Sequence, residues 1–133
     1  MHFRAAGLQE KVIVAGPKYG TEKFNLLAQA DIFVFPTYFE LFPGVVLEAM
    51  QFRKAIVAST EGSIPEMIDD GKNGLLVPVQ NPAALAVAIE KLCDDPRLRE
   101  KLGQHAREKF LTEFTLDRFE TNMKQVFATV LAE

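Results

Sequence analysis

Four short apolar runs constrain the fold of this chain more than any other feature of its sequence. They occupy residues 12–15, 32–35, 55–58 and 75–77, and polar residues do not alternate within them. Uninterrupted runs of β-branched and aromatic residues are typical of strands that are buried on both faces of a parallel sheet. Because helical segments separate the runs, the sequence predicts an α/β fold with a parallel sheet of about four strands and flanking helices.

The segments between the strands have helical periodicity. Residues 21–30 are amphipathic, residues 44–52 are apolar nearly all round, and residues 64–68 form one or two turns after the candidate cap Ser63. A helix that is apolar on every side is expected to be buried, so the segment 44–52 should lie in the core.

Beyond the last strand the sequence is helical throughout. Capping residues mark three helix starts, at Asn81, Asp95 and Thr115, and proline follows the first two of them. The final helix carries a long apolar stripe that needs a surface to cover. We therefore predict a single domain over residues 1–133, with an α/β core over residues 1–80 and a helical tail over residues 81–133.

Composition excludes several classes of function. Fifteen Lys and Arg residues against eighteen Asp and Glu give a net charge of −3, with no basic run, so we predict no nucleic-acid partner. The only cysteine, Cys93, cannot form an intrachain disulfide, and no leader pattern opens the sequence, so we predict a cytoplasmic location. Two separated histidines and one cysteine predict no metal site, and prolines and glutamates interrupt the most apolar stretch, so we predict no transmembrane segment.

Two glutamates stand where an open parallel sheet places its ligands, outside the carboxyl ends of the strands. Glu40 lies in the loop after the second predicted strand, and Glu48 lies eight positions later on the apolar helix. A buried carboxylate is costly unless something hydrogen-bonds it, so Glu48 needs backbone amides, a basic residue or a ligand. Gly44 and Val45 offer backbone N–H groups at the helix start, an arrangement suited to a phosphate, whereas Pro43 offers none.

Other interpretations of these residues stay open at this point. Glu40 and Glu48 could form the acid/base pair of a glycoside hydrolase. Lys18 and Tyr19 follow a predicted strand and could approach a nucleotide base, although turns at strand ends often carry such residues for solubility. His105 lies among polar residues of a helix and is expected to be solvated.

Three ordered blocks of this sequence resemble a known family. They are DIFVFPT at residues 31–37 followed by ELFPGVVLEAM at 40–50, then EGSIPEMI at 61–68, then DGKNGLLV at 70–77. The first resembles the E-x7-E region of retaining glycosyltransferases of family 4, the "group 1" transferases, and the other two are similar to the blocks that follow it. This resemblance implies a Rossmann-like fold, the C-terminal donor-binding domain of a two-domain GT-B enzyme.

The resemblance also implies what the residues do. The chain would be the donor half of a hexosyltransferase that moves sugar from a nucleoside-diphosphate sugar to a glycan or lipid-linked acceptor, as in polysaccharide biosynthesis, without metal or cofactor. Glu40 would be the catalytic residue and touch hydroxyls of the transferred sugar, and Glu48 would bond the ribose hydroxyls. The remaining donor-binding positions would be Phe42, Pro43, Gly44 and Val45. Leu41 and Pro43 stand where the family often has glycine, which leaves the identity of the sugar open.

The resemblance further implies missing parts. The family's donor domain begins with two additional strands and an Arg and a Lys that hold the diphosphate, and an N-terminal domain binds the acceptor. We therefore expect this chain alone to be inactive and the full enzyme to reach membranes only peripherally. We predict that residues 12–15 pair with residues 32–35, or that exposed edges or the final helix exchange between copies in a homo-oligomer. The alternatives are a non-catalytic nucleotide-sugar-binding or partner-docking module, and another GT-B enzyme such as a sugar-nucleotide epimerase.

Overall fold

A three-stranded parallel sheet forms the centre of the computed structural model, which describes residues 6–132. Strand β1 (Ile32–Phe35) pairs with β2 (Ala55–Ser59), and β2 pairs with β3 (Leu75–Val77). All five residues of the central strand β2 are buried, which is why its sequence is apolar without alternation. The predicted α/β class, the parallel sheet and three of the four predicted strands are confirmed.

Six helices of the described chain surround the sheet. They are α1 (Gly20–Gln29), α2 (Gly44–Gln51), α3 (Ile64–Met67), α4 (Pro82–Asp94), α5 (Pro96–Glu113) and α6 (Leu116–Leu131). Each lies within a few residues of its predicted position, so the element order matches the sequence reading. No helix among residues 6–132 is both long and apolar enough to span a bilayer.

The core has two layers because successive residues of a strand face opposite sides of the sheet. On one side, Ile56 and Ala58 of β2 pack with Val46 and Met50 of α2 and with Met67 of α3. The other side contains Ala55, Val57, Leu75, Val77, Ala88, Leu92 and Leu102. Helix α5 contributes to both layers and thereby joins the helical segment to the sheet. The boundary predicted at residue 80 stays a prediction.

Side-chain caps fix the starts of the last three helices. Oδ1 of Asn81 accepts a hydrogen bond from the Ala84 amide at 2.9 Å, and Oδ1 of Asp95 accepts one from the Leu98 amide at 2.9 Å. Thr115 Oγ1 accepts from the amide of residue 118 at 3.3 Å. These three predicted caps are confirmed. Ser63 occupies the N-cap position of α3 as predicted, but its side chain does not cap the helix, because its hydroxyl donates instead to the Leu41 carbonyl oxygen.

The prediction of a strand at residues 12–15 is wrong. These residues form no strand, Ile13 is 90% exposed and Val14 is 62% exposed. A strand needs a neighbouring strand to bond its backbone groups, and β1 has only β2 beside it within the described part of the chain. Direct pairing of residues 12–15 with β1 is therefore wrong as well, and exchange of edges or helices between copies stays a prediction.

The final helix is the least packed element of the chain. None of the residues of α6 is buried, and most of its large apolar side chains are exposed. The exposed ones are Leu116, Phe119, Val126, Phe127, Val130 and Leu131. The apolar stripe predicted from the sequence is thus present, and within residues 6–132 it is largely uncovered.

Candidate functional site

The carboxyl ends of β1, β2 and β3 meet at one edge of the sheet, as parallel strands require. Loops 36–43, 60–63 and 78–81 leave from this edge, and α2, α3 and α4 begin there. Ligands of open parallel sheets bind at such an edge because helix N-termini and loops face the same crevice. We call this edge the rim.

Glu40 occupies the loop after β1, as predicted. Its Oε1 accepts a hydrogen bond from the neighbouring Leu41 amide at 2.9 Å, and the side chain is half-buried. Glu40 lines a cavity of about 330 Å³ together with Phe39, Leu41 and Glu61. Phe39 is 92% exposed, so the mouth of this cavity combines carboxylates with a bare aromatic ring. This mouth therefore offers a ligand both hydrogen-bond acceptors and the face of an aromatic ring.

A second loop holds the Glu40 loop in place. The Leu41 carbonyl oxygen accepts hydrogen bonds from both the amide and the hydroxyl of Ser63, at 2.9 and 2.6 Å. Gly62 has a φ of +53°, and a side chain there would collide with the backbone oxygens of Glu40 and Leu41. The hydroxyl of Ser59 also donates to the Thr37 carbonyl oxygen. We call the contact of residues 62 and 63 with Leu41 the latch.

The start of α2 forms another part of the rim. Pro43 is buried at the N-cap position, and no described side chain caps this helix. Gly44 and Val45 are its first two residues, and the first backbone bond runs from the Val46 amide to the Pro43 oxygen at 3.0 Å. Amides at such a helix start carry the positive end of the helix dipole and attract anions. Phe42 precedes them and is about half exposed.

Glu48 lies on the next turn of α2 and has two oxygens in different surroundings. Its Oε1 is 2.6 Å from the ammonium nitrogen of Lys23, which lies on α1. Its Oε2 is buried and has no hydrogen-bond partner among the described residues. The sequence had left open whether Glu48 meets a basic residue or a ligand. A basic residue satisfies one oxygen and leaves the other without a donor.

The contact of Lys23 with Glu48 was not predicted from the sequence. A usable signal existed, because Lys23 lies four positions before Leu27, the buried residue of α1, and therefore shares its inward face. A charge on the buried face of an amphipathic helix indicates a partner. Lys18 forms a different ion pair, in which its Nζ is 3.7 Å from Oε1 of Glu22, four positions later in the chain.

The remaining titratable residues do not gather into a metal centre. No three His, Cys, Asp or Glu side chains among residues 6–132 are close enough together to hold an ion. His105 lies far along α5, where its Nδ1 is 3.0 Å from the Lys72 carbonyl oxygen. The roles predicted for Glu40, Glu48 and residues 42–45 stay predictions, as does the absence of a cofactor.

Comparison with known proteins identifies the family. The model of the glycosyl transferases group 1 family matches residues 2–109. A D-inositol 3-phosphate glycosyltransferase from Corynebacterium kroppenstedtii is 35% identical over 103 residues, which are 77% of this chain and 23% of that protein. The chain spans about a quarter of the length of the curated relatives that it matches.

Solved structures agree with the family match. Sucrose-phosphate synthase from Thermosynechococcus elongatus superposes with a TM-score of 0.81 at 27% identity, over 98% of this chain and 34% of that one. Anabaena Alr3699/HepE in complex with UDP has the same fold, with a TM-score of 0.87 at 23% identity, over 96% of this chain and 35% of that one. The fold is thus the Rossmann-like C-terminal domain of GT-B enzymes. The chain belongs to the glycosyl transferases group 1 family.

Proposed function

We propose that this chain is the donor-binding half of a retaining glycosyltransferase and that it binds a nucleoside-diphosphate sugar at the rim. The observation that carries the proposal is Glu48 Oε2, a buried carboxylate oxygen without a described donor. An unsatisfied buried acceptor costs about 1–3 kcal/mol, so a ligand that donates a hydrogen bond there gains that energy back. A ribose hydroxyl is such a donor.

The diphosphate would lie at the start of α2. Gly44 and Val45 are the first residues of this helix, one turn before Glu48, and no described side chain occupies the cap. Their amides and the helix dipole favour an anion, and they stabilise the charge that develops on the departing diphosphate. Pro43 and Phe42 shape the approach to these amides. The nucleoside and the diphosphate would therefore bind next to each other along α2.

Glu40 would meet the transferred sugar. The latch fixes its backbone, and its side chain lines the cavity that Phe39 flanks. In the transfer, the bond between the anomeric carbon and the phosphate oxygen breaks and the acceptor oxygen forms the new bond. The acceptor's proton leaves with the diphosphate. A carboxylate placed at the sugar hydroxyls orients the ring for this step.

Sugar transfer would require an acceptor-binding domain in addition to this donor-binding one. The relatives are about three times as long as this chain, so we assign acceptor binding to an N-terminal domain and expect the 133-residue chain alone to bind donor without transferring sugar. The acceptor would be a glycan or a lipid-linked sugar, in polysaccharide assembly. Cys93 is the only cysteine, which suits a reducing cytoplasm.

Calorimetric titration of the 133-residue chain tests this proposal. UDP, GDP, ADP and their common sugar conjugates are titrated into wild type, Glu48→Gln and the matched control Glu22→Gln, whose carboxylate lies in the exposed pair with Lys18. We expect one nucleotide to bind best and Glu48→Gln to weaken it about 10–100-fold, the value of a hydrogen bond to a charged group. The control should bind as wild type does.

A second candidate is a non-catalytic module that docks a partner, and the bare apolar face of α6 favours it. It predicts that a folded chain binds none of the nucleotides and that a partner protects α6 from hydrogen exchange. Absence of nucleotide binding in a chain with native circular dichroism would therefore contradict the donor-binding proposal and support this one.

A further inference from the structure

The ion pair between Lys23 and Glu48 is asymmetric in a way that bears on ligand binding. The ammonium lies 2.6 Å from Oε1, while Oε2 is buried without a partner. The side chains of Lys23 and Glu48 are 32% and 26% exposed, so water reaches the pair but does not reach Oε2. One oxygen thus has a partner within the protein, and the other is left for a donor from outside the described residues.

An aromatic ring also contacts the ammonium of Lys23. The nitrogen of Lys23 is 5.0 Å from the centroid of the Phe24 ring, within the range of a cation–π contact. That ring stacks on Phe52, just beyond the end of α2, with centroids 5.8 Å apart. Helix α1 therefore contacts α2 both at Glu48 and at its end, which limits the positions that the ammonium can take.

The charge of Lys23 also decides which donor suits Oε2. A carboxylate alone would attract any cation, including a metal ion or a second lysine. With Lys23 beside Oε1 the charge is already balanced, so Oε2 gains most from a neutral hydroxyl. Resting on the proposed function, we propose that Lys23 is a positioning residue that holds Glu48 through Oε1 so that Oε2 receives a hydroxyl of the ligand's ribose.

The test compares ribonucleotides with their deoxy analogues. UDP, GDP and ADP are each titrated beside their 2′,3′-dideoxy forms, and the ratio of the two dissociation constants measures the contribution of the ribose hydroxyls. We expect a wild-type ratio of about 10–100 for the preferred base. In Lys23→Met, which keeps the length of the side chain without its charge, we expect the ratio to fall below about 3 because Glu48 loses its fixed orientation.

Two further variants separate positioning from general stabilisation. Lys18→Met removes the same charge from a side chain of similar exposure, 34% against 32% for Lys23, in the pair with Glu22, and it should keep the wild-type ratio. Lys23→Arg keeps a cation that can donate to Oε1, and it should restore most of the ratio. If Lys23→Met does not fold, Lys23→Gln takes its place, and its ratio should fall in the same way.

The outcomes distinguish this inference from the proposed function. A folded Lys23→Met or Lys23→Gln that keeps the wild-type ratio overturns the role of Lys23 and leaves the donor site standing. A wild-type chain that binds a nucleotide but does not prefer its ribose form overturns both the role of Lys23 and the ribose contact proposed for Glu48, because Oε2 then receives no hydroxyl. A folded wild-type chain that binds none of the nucleotides overturns both.

Discussion

The two edges of the sheet differ sharply in how completely they are packed. We call the region around β2 and β3 the packed side and the region around β1 the open side. Around β2 and β3, every residue of the central strand is buried, and Leu92 and Leu102 of the covering helices are fully buried. Around β1, all four strand residues are only half-buried, and the apolar segment 12–15 lies exposed in front of α1. The contrast teaches that packing partners decide which apolar run becomes a strand.

A substitution in the packed side should have the largest effect. Leu102→Ala removes a fully buried side chain of α5 and should lower the free energy of unfolding by about 3 kcal/mol, within the range for such cavities. Leu111→Ala, on the same helix but half exposed, is the matched control and should cost less than about 1 kcal/mol. Urea denaturation measures both. Equal losses would show that α5 is not anchored as described.

A substitution in the latch tests the connection between the two sides. Gly62→Ala places a methyl group against the backbone oxygens of Glu40 and Leu41, and we expect a loss of about 2–3 kcal/mol together with weaker donor binding. Gly71→Ala has a similar positive φ, +75°, but no atom within 4 Å of the new methyl group. It should cost only the conformational strain, about 1 kcal/mol. Thermal unfolding and nucleotide titration of both variants distinguish the steric collision from the backbone strain. Equal losses of stability in the two variants would argue against the latch.

The open side should respond least. Ile13→Ala removes an apolar side chain that is 90% exposed, so the free energy of unfolding should change by less than about 0.5 kcal/mol. Urea denaturation at low and at high protein concentration measures this change in the free energy of unfolding. A loss that appears only at high concentration would show that residues 12–15 are covered by another copy, which is the exchange predicted from the sequence.

Local signals in the sequence were enough for most of the fold. Asn81, Asp95 and Thr115 cap their helices through their own side chains, and a cap acts on residues two or three positions away. The strand at residues 75–77 was identifiable because it is apolar and bounded by turn residues. The same criteria failed at residues 12–15, since the deciding factor there is a neighbouring strand, which no local pattern contains.

The sequence predicted where the two acidic residues of the candidate site lie, but it did not predict which residues contact them. Glu40 and Glu48 lie at the rim where their positions after β1 had placed them. The position of Lys23 on the inward face of α1 indicates a partner, but Lys23 lies 25 residues from Glu48 in the chain, and no local pattern specifies that these two meet. The close approach of Gly62 to Leu41 could not be predicted from the sequence either, because it depends on how two separate loops fold over the sheet.

The latch has a consequence for engineering the proposed donor site. Because the carbonyl of Leu41 is bonded twice by Ser63, and Gly62 fits against the same backbone, loops 36–43 and 60–63 behave as one module. Grafting the first loop from a relative with another sugar specificity would leave it without its support. A chimaera that exchanges both loops together keeps the supporting bonds, so the transferable unit is the pair of loops.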